Sequence, residues 1–280
     1  MNQIVRAWSF LTLFSITLIV LGHRWGGRDG LLLALIVVLA TNSFIYFYED
    51  RRILKRFGGH LVEGQDPYGL NEMVRRLSVK ARIAVPSLVV LNDTAPQAGA
   101  LGRNIGNGVL ILTEGVIKKL THAELEAVIA YQIASIRNLN TLAFAVGSFM
   151  ASFCFLISES LDFCVRVLIV EKKNRQSPVT QIFTRLLSPL IGMILRVSVR
   201  PSFYLAADHL ATQLLGDPKH LATAIWKLGS YADTRPFHSP LSSAHIFIVS
   251  PLREMRWTRL VATHPPIATR VRQLIGYYPV

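Results

Sequence analysis

The chain has 280 residues, 51% of them hydrophobic and only 17% charged, with a formal net charge of +13. That balance argues against an ordinary soluble domain. It points the basic excess towards cytoplasmic membrane edges and anionic lipid. No Lys/Arg stripe interleaves with aromatic residues, so no nucleic-acid partner is expected.

In chain order, Ala7 to Gly22 is apolar apart from Ser and Thr, and Gly30 to Phe47 is a second apolar run. The short connection HRWGGRD makes the pair read as a transmembrane hairpin. No A-x-A-like cleavage site follows the first run, so an uncleaved anchor is expected. The cluster Arg51, Arg52, Lys55 and Arg56 follows directly and should stay cytoplasmic.

From about Phe57 to Asn138 the sequence is less hydrophobic and reads as a folded domain at the membrane surface. NEMVRRLSVKARI predicts a helix with Met73, Leu77 and Val79 towards the core. SLVVLND after Pro86 and GVLILT (Gly108 to Thr113) predict two strands, with turn residues in GRNIGN between them.

Leu120 to Thr141 predicts the central helix. Thr121 and Glu124 have the spacing of a capping box, and Leu125, Val128, Ile129, Gln132 and Ile136 recur on one face. Tyr131, Gln132 and Ser135 fall where a zincin helix would carry H-E-x-x-H. In that motif two His at i and i+4 bind zinc from one face and the Glu polarises the zinc water. All three residues are replaced here.

Leu139 to Ile157 is a third apolar run, continued by LDFCVRVLIV. Cys154 and Cys164 fall in this region; on one helix they would be ~15 Å apart, too far to bridge. They imply neither a disulfide framework nor a cysteine metal site. Ile182 to Val199, interrupted by Pro189, is the fourth run. If both runs span, the loop with Lys172, Lys173 and Arg175 lies outside, against the positive-inside bias. Pro236 to Trp257 reads as a polar loop with a short apolar piece at His245 to Val249.

Three blocks carry a family resemblance. ELEAVIAYQIASIRNLNT resembles the ELxAVLAHExxHIxxxDT block of the HtpX-type membrane zinc metallopeptidases, relatives of the CAAX prenyl protease. RPSFYLAADHLATQLLGDP is similar to the family's R-E-Y-x-A-D-x-x-A-x-x-L-x-G-x-P block, and VATHPPIATRVRQL to its THPPLxxRIxxL block. The resemblance covers nearly the whole chain. It implies a mainly α fold with a small β-sheet, an α+β zincin-like domain on transmembrane helices. The corresponding division is 1–50 as the hairpin, 51–138 as the first part of the domain, 139–199 as two further membrane helices and 200–280 as the rest of the domain.

By this resemblance Tyr131 stands at the first ligand His, Gln132 at the catalytic Glu, Ser135 at the second His and Tyr204 at the third-ligand Glu. Asp208 and His264 are then neighbours of the former site. Val109, Leu110, Ile111 and Leu112 are peptide-groove candidates, because such peptidases align substrate backbone along a strand edge. A catalytic zinc takes three protein ligands and an open water position. Neutral hydroxyls are poor substitutes, since a Tyr phenol titrates at ~10, and the Gln132 amide cannot act as a base. No metal or other cofactor is therefore expected, although active relatives take zinc.

The resulting expectation is a catalytically inactive membrane pseudopeptidase that binds or regulates peptides or membrane proteins. Its partners would be the lipid bilayer and peptide or membrane-protein segments. Its place would be a bacterial-type inner or plasma membrane, with the domain on the cytoplasmic side. The alternatives are an active HtpX-type metalloendopeptidase or a hydrolase with a non-zinc mechanism.

Overall fold

The structure, a computed structural model, describes residues 3–61, 66, 68–169, 182–251 and 263–277. The loop holding Lys172, Lys173 and Arg175 lies outside the described residues, as does the whole stretch from Leu252 to Trp257.

Helix α1 runs over Gln3–Phe57 and breaks at Gly27, whose φ of 57° and ψ of −133° are open to glycine and strained for other residues. The two arms fold back on each other. Asn42 Nδ2 donates to Ser15 Oγ at 3.2 Å across them. A Cβ on Gly22 would lie 2.6 Å from the Gly30 carbonyl oxygen, so only glycine permits that approach. The hairpin read from the two apolar runs is thus a helical hairpin turning at Gly27.

The arms rest on α5 (Asn140–Ile169), where Leu11, Val146 and Met150 form a small buried cluster. Helix α6 (Ile182–Ser198) pairs with α5. The stretches Asn140–Val165 and Ile182–Leu215 are long and apolar enough to cross a membrane. On α6, Ile182, Leu186, Leu190, Met193 and Val197 are exposed at helical spacing, while Ile191 and Leu195 are buried. An exposed apolar stripe of this length fits a lipid-facing surface and would be costly in water. Asp162 on α5 accepts from the backbone N–H of Phe183 (2.8 Å) and Thr184 (3.0 Å), capping α6 from its neighbour.

The domain begins after the hairpin with β1 (His60–Leu61) and α2 (Leu70–Ala81), followed by β2 (Ser87–Leu91), β3 (Ala98–Gly102) and β4 (Gly108–Thr113). The sheet order is β1-β2-β4-β3; β2 runs parallel to β4, and the other two pairs are antiparallel. On α2, Met73 and Leu77 are buried as the periodicity predicts, but Val79 is 70% exposed. Val79 is two residues beyond Leu77, about 200° around the helix, so it belongs to the opposite face.

Short α3 (Glu114–Lys119) leads into α4 (His122–Arg137). The capping box forms as read: Thr121 Oγ1 accepts from Glu124 N at 3.3 Å, and a Glu124 oxygen accepts from Thr121 N at 2.9 Å. The single buried face does not. Every residue from Ala127 to Ile136 is buried, because α2, α7, α8 and β3 enclose the helix. Leu139, with φ of 57°, turns the chain sharply from α4 into α5. Helices α7 (Pro201–Leu215), α8 (Lys219–Thr234) and α9 (Ile267–Ile275) close the domain, with a 3-10 turn at Leu241–Ile246.

Candidate functional site

Three helices meet at the site. From α4 come Tyr131, Gln132 and Ser135, all at 2% exposure or less. From α7 come Tyr204 and Asp208, one turn apart on the same face and both buried. From α9 comes Arg270, also buried. The salt link from Lys227 of α8 to Glu124 (2.7 Å) pins the start of α4 against its neighbour.

Arg270 is the centre of the arrangement. Its Nε donates to Asp208 Oδ2 at 2.9 Å and its Nη2 to Oδ1 at 2.7 Å, a bidentate pair. Its Nη1 donates to the carbonyl of Ile248 at 2.5 Å. The guanidinium carbon lies 5.0 Å from the centre of the Tyr131 ring, in cation–π range. Burial works against the charge on Arg270, but the Asp208 carboxylate outweighs it and raises the group further above its ordinary value.

Tyr204 donates its hydroxyl to the carbonyl of His245 at 2.7 Å and also meets Thr263 Oγ1 at 3.3 Å. Its ring stacks on Phe144 and lies 4.5 Å, centre to centre, from His264. His264 Nε2 faces the Phe247 carbonyl at 2.9 Å, and His245 Nε2 faces the Phe144 carbonyl at 2.8 Å. A carbonyl only accepts, so both rings carry their proton on Nε2. Burial depresses both, His245 to about 4 and His264 to about 3, so both are neutral near pH 7.

Four of the five carbonyls of residues 245 to 249 are thus gathered by side chains. Tyr204 takes that of His245, His264 that of Phe247, Arg270 that of Ile248, and Gln97 Nε2 that of Val249 at 3.0 Å. The same segment lies antiparallel against β3, with a bridge from Gly99 to Phe247 and a hydrogen bond from Ile248 N to Ala98 O at 2.9 Å.

This corrects the expected groove. Val109, Leu110, Ile111 and Leu112 lie in β4, which is paired with β2 on one side and β3 on the other, so they present no free edge. The outer strands are the two-residue β1 and β3, and all five residues of β3 are buried. GVLILT is alike on both faces because it is central, and sequence alone cannot separate a central strand from a buried edge.

Chemically, the positions compared with zinc ligands offer hydroxyls. Burial raises the Tyr131 phenol above its ordinary value, so it stays neutral. Tyr204 spends its proton on a backbone carbonyl, and the Asp208 carboxylate is held by Arg270. A dication placed here would face the guanidinium and find no free anionic donor among these residues; this set does not fit zinc. Gln132 Nε2 and Ser135 Oγ are buried and make no side-chain hydrogen bond among the described residues.

Arg270, His245 and Thr263 were not singled out from the sequence as site residues. Arg270 had a signal: it lies between Ile267, Val271 and Leu274 on the apolar side of its helix, and a cation there calls for a buried anion. His245 and Thr263 had none.

A helix with site positions at i, i+1 and i+4, a second helix across it and a small sheet alongside form a zincin-type frame mounted on apolar helices. The comparisons agree. The model of Peptidase family M48 matches residues 66–277, so the chain belongs to that family. It is 29% identical over 282 residues to a protein named protease HtpX homolog from Desulfatibacillum aliphaticivorans, covering all of this chain and 91% of that one. It is 30% identical over 277 residues to the one from Pelotomaculum thermopropionicum, covering 98% of each. The crystal structure of S. mikatae Ste24p superposes with a TM-score of 0.53 at 14% identity, over 97% of this chain and 67% of that one. The fold is that of a membrane-anchored member of this family, mainly α with a small sheet.

Two predictions follow from the buried charges and rings. Asp208→Asn leaves the Arg270 charge uncompensated, and should destabilise the domain by about 3–5 kcal/mol. Pairing Asp208→Leu with Arg270→Met should recover a large part of that loss, although the Ile248 carbonyl then lacks its donor; denaturant melts of the three variants measure the coupling. The depressed histidines make the folded state bind fewer protons than the unfolded one below pH 6.5. Stability present above that pH should therefore fall, by about 1.4 kcal/mol per pH unit for each ring, as pH drops from 6.5 towards 4. Thermal melts of detergent-solubilised protein across this range should show the loss, and His264→Gln should roughly halve its slope, leaving the part due to His245.

Proposed function

We propose that this chain is a catalytically inactive HtpX-type pseudopeptidase of the membrane, which binds or regulates membrane proteins or peptides. The observation that supports this reading is the donor set. Tyr131, Ser135 and Tyr204 stand where the resemblance puts zinc ligands, and Tyr204 and Arg270 are engaged with the backbone of residues 245 and 248. Gln132 stands at the general base, and losing a general base alone costs ~10²–10⁴-fold. With β3 covered by the chain itself, the geometry favours recognition through helices over capture of an extended peptide.

Purified protein is expected to carry no stoichiometric zinc by elemental analysis and to cleave no unfolded membrane or soluble substrate. About one zinc per chain, with cleavage abolished by chelation, would overturn the reading. The combined variant Tyr131→His, Gln132→Glu, Ser135→His and Tyr204→Glu tests the frame: zinc uptake would show that only the ligand chemistry was lost.

The domain is assigned to the cytoplasmic side, in a bacterial-type inner or plasma membrane, on the basic residues that follow the hairpin. In right-side-out cells, a cysteine at Arg24 should react with an impermeant maleimide and one at Lys55 should not. The opposite labelling pattern inverts the topology.

A further inference from the structure

A cleft of about 700 Å³ lies between the return arm of α1, the middle of α5 and the start of the 3-10 turn. It is separate from the Tyr131–Tyr204 site, and its size is that of a ligand pocket. Its wall is mainly apolar, from Ala40, Phe149, Phe153, Phe155 and Leu156. Two ionisable groups share the lining, Arg52 and Glu159. Arg52 is anchored at the wall by donating to Ser152 Oγ at 3.0 Å. Ser152 and Glu159 are seven residues apart, two turns along one face of α5, a rise of ~10 Å.

We infer that this cleft is a binding site for an ethanolamine glycerophospholipid, with the phosphodiester at Arg52, the ammonium at Glu159 and acyl chain along the aromatic wall.

The charge pattern selects this occupant. A wall with one cation and one anion matches a headgroup that carries both signs, whereas a purely anionic headgroup would meet Glu159 unfavourably and a diacylglycerol has no phosphate to offer a guanidinium. Arg is well suited to phosphate because its donors form a planar fork. The apolar part matches an acyl chain, and basic pockets between membrane helices are places where lipid headgroups bind. The cleft also joins the hairpin, α5 and the domain, so an occupant would brace the anchor against the domain at their junction.

The test is native mass spectrometry of the full chain released from vesicles of equal parts palmitoyl-oleoyl phosphatidylethanolamine, phosphatidylglycerol and diacylglycerol. Expected is one retained phospholipid per chain, with phosphatidylethanolamine favoured. Arg52→Gln should lower retention of both phospholipids, by about threefold to tenfold for one partly exposed charge contact. Glu159→Gln should instead remove the preference for ethanolamine over glycerol. Ala40 is exposed to the cleft, so Ala40→Trp should fill it and abolish retention while the fold is kept, which covers the case in which Arg52→Gln destabilises the protein. Equal retention of all three lipids, no retained lipid, retention unchanged in Ala40→Trp, or a co-purifying transmembrane polypeptide displacing lipid from the cleft would each overturn the inference.

Discussion

The Asp208–Arg270 pair is the constraint on which the interior depends. Both groups are almost wholly buried, and a buried ion pair is tolerated only when its remaining donors and acceptors are also satisfied. Arg270 meets that condition through the Ile248 carbonyl and the face of Tyr131. One side chain therefore fixes α9 to α7, α7 to α4, and the segment after the 3-10 turn to all three. In this membrane-anchored member of family M48, the positions that the resemblance compares with zinc ligands carry hydroxyls, and this cation is the dominant charge among the described site residues.

That charge also explains why the replacements are compatible with folding. The resemblance puts a metal and its ligands at these positions. Here two buried phenols occupy them, one under the Arg270 guanidinium and one bonded to backbone. Buried phenols held neutral are less costly than unpaired carboxylates, which would have to find cations or protonate. Gln132 and Ser135 are the less comfortable remnants, since a buried unsatisfied donor costs about 1–3 kcal/mol.

Much of the fold was legible because it rests on local chemistry. The capping box at Thr121 and Glu124 is a short-range pattern and formed as read. The hairpin was visible from two apolar runs around glycines, and its turn at Gly27 follows from backbone freedom. Two readings failed, one from helix phase and one from non-local strand pairing. Val79 was misplaced because a helix face was read two residues too far, and the peptide edge was assigned to β4 because strand order is not encoded in any single strand. The site divides in the same way. Tyr131, Gln132, Ser135 and Tyr204 were found by register along two helices, whereas His245 and Thr263 reach the site only through tertiary packing.

The clasped carbonyls of residues 245 to 249 bear on the order in which the molecule can be completed. Their partners are drawn from positions 97, 204, 264 and 270, so nearly the whole length of the domain must exist before the last clasp closes. During synthesis the hairpin, sheet and central helix emerge first, leaving the outer side of β3 without its cover until residues 245 to 249 arrive and the C-terminal helix secures them. That interval of exposed strand, rather than any step around Tyr131 and Tyr204, is when the chain is most open to pairing with something other than itself.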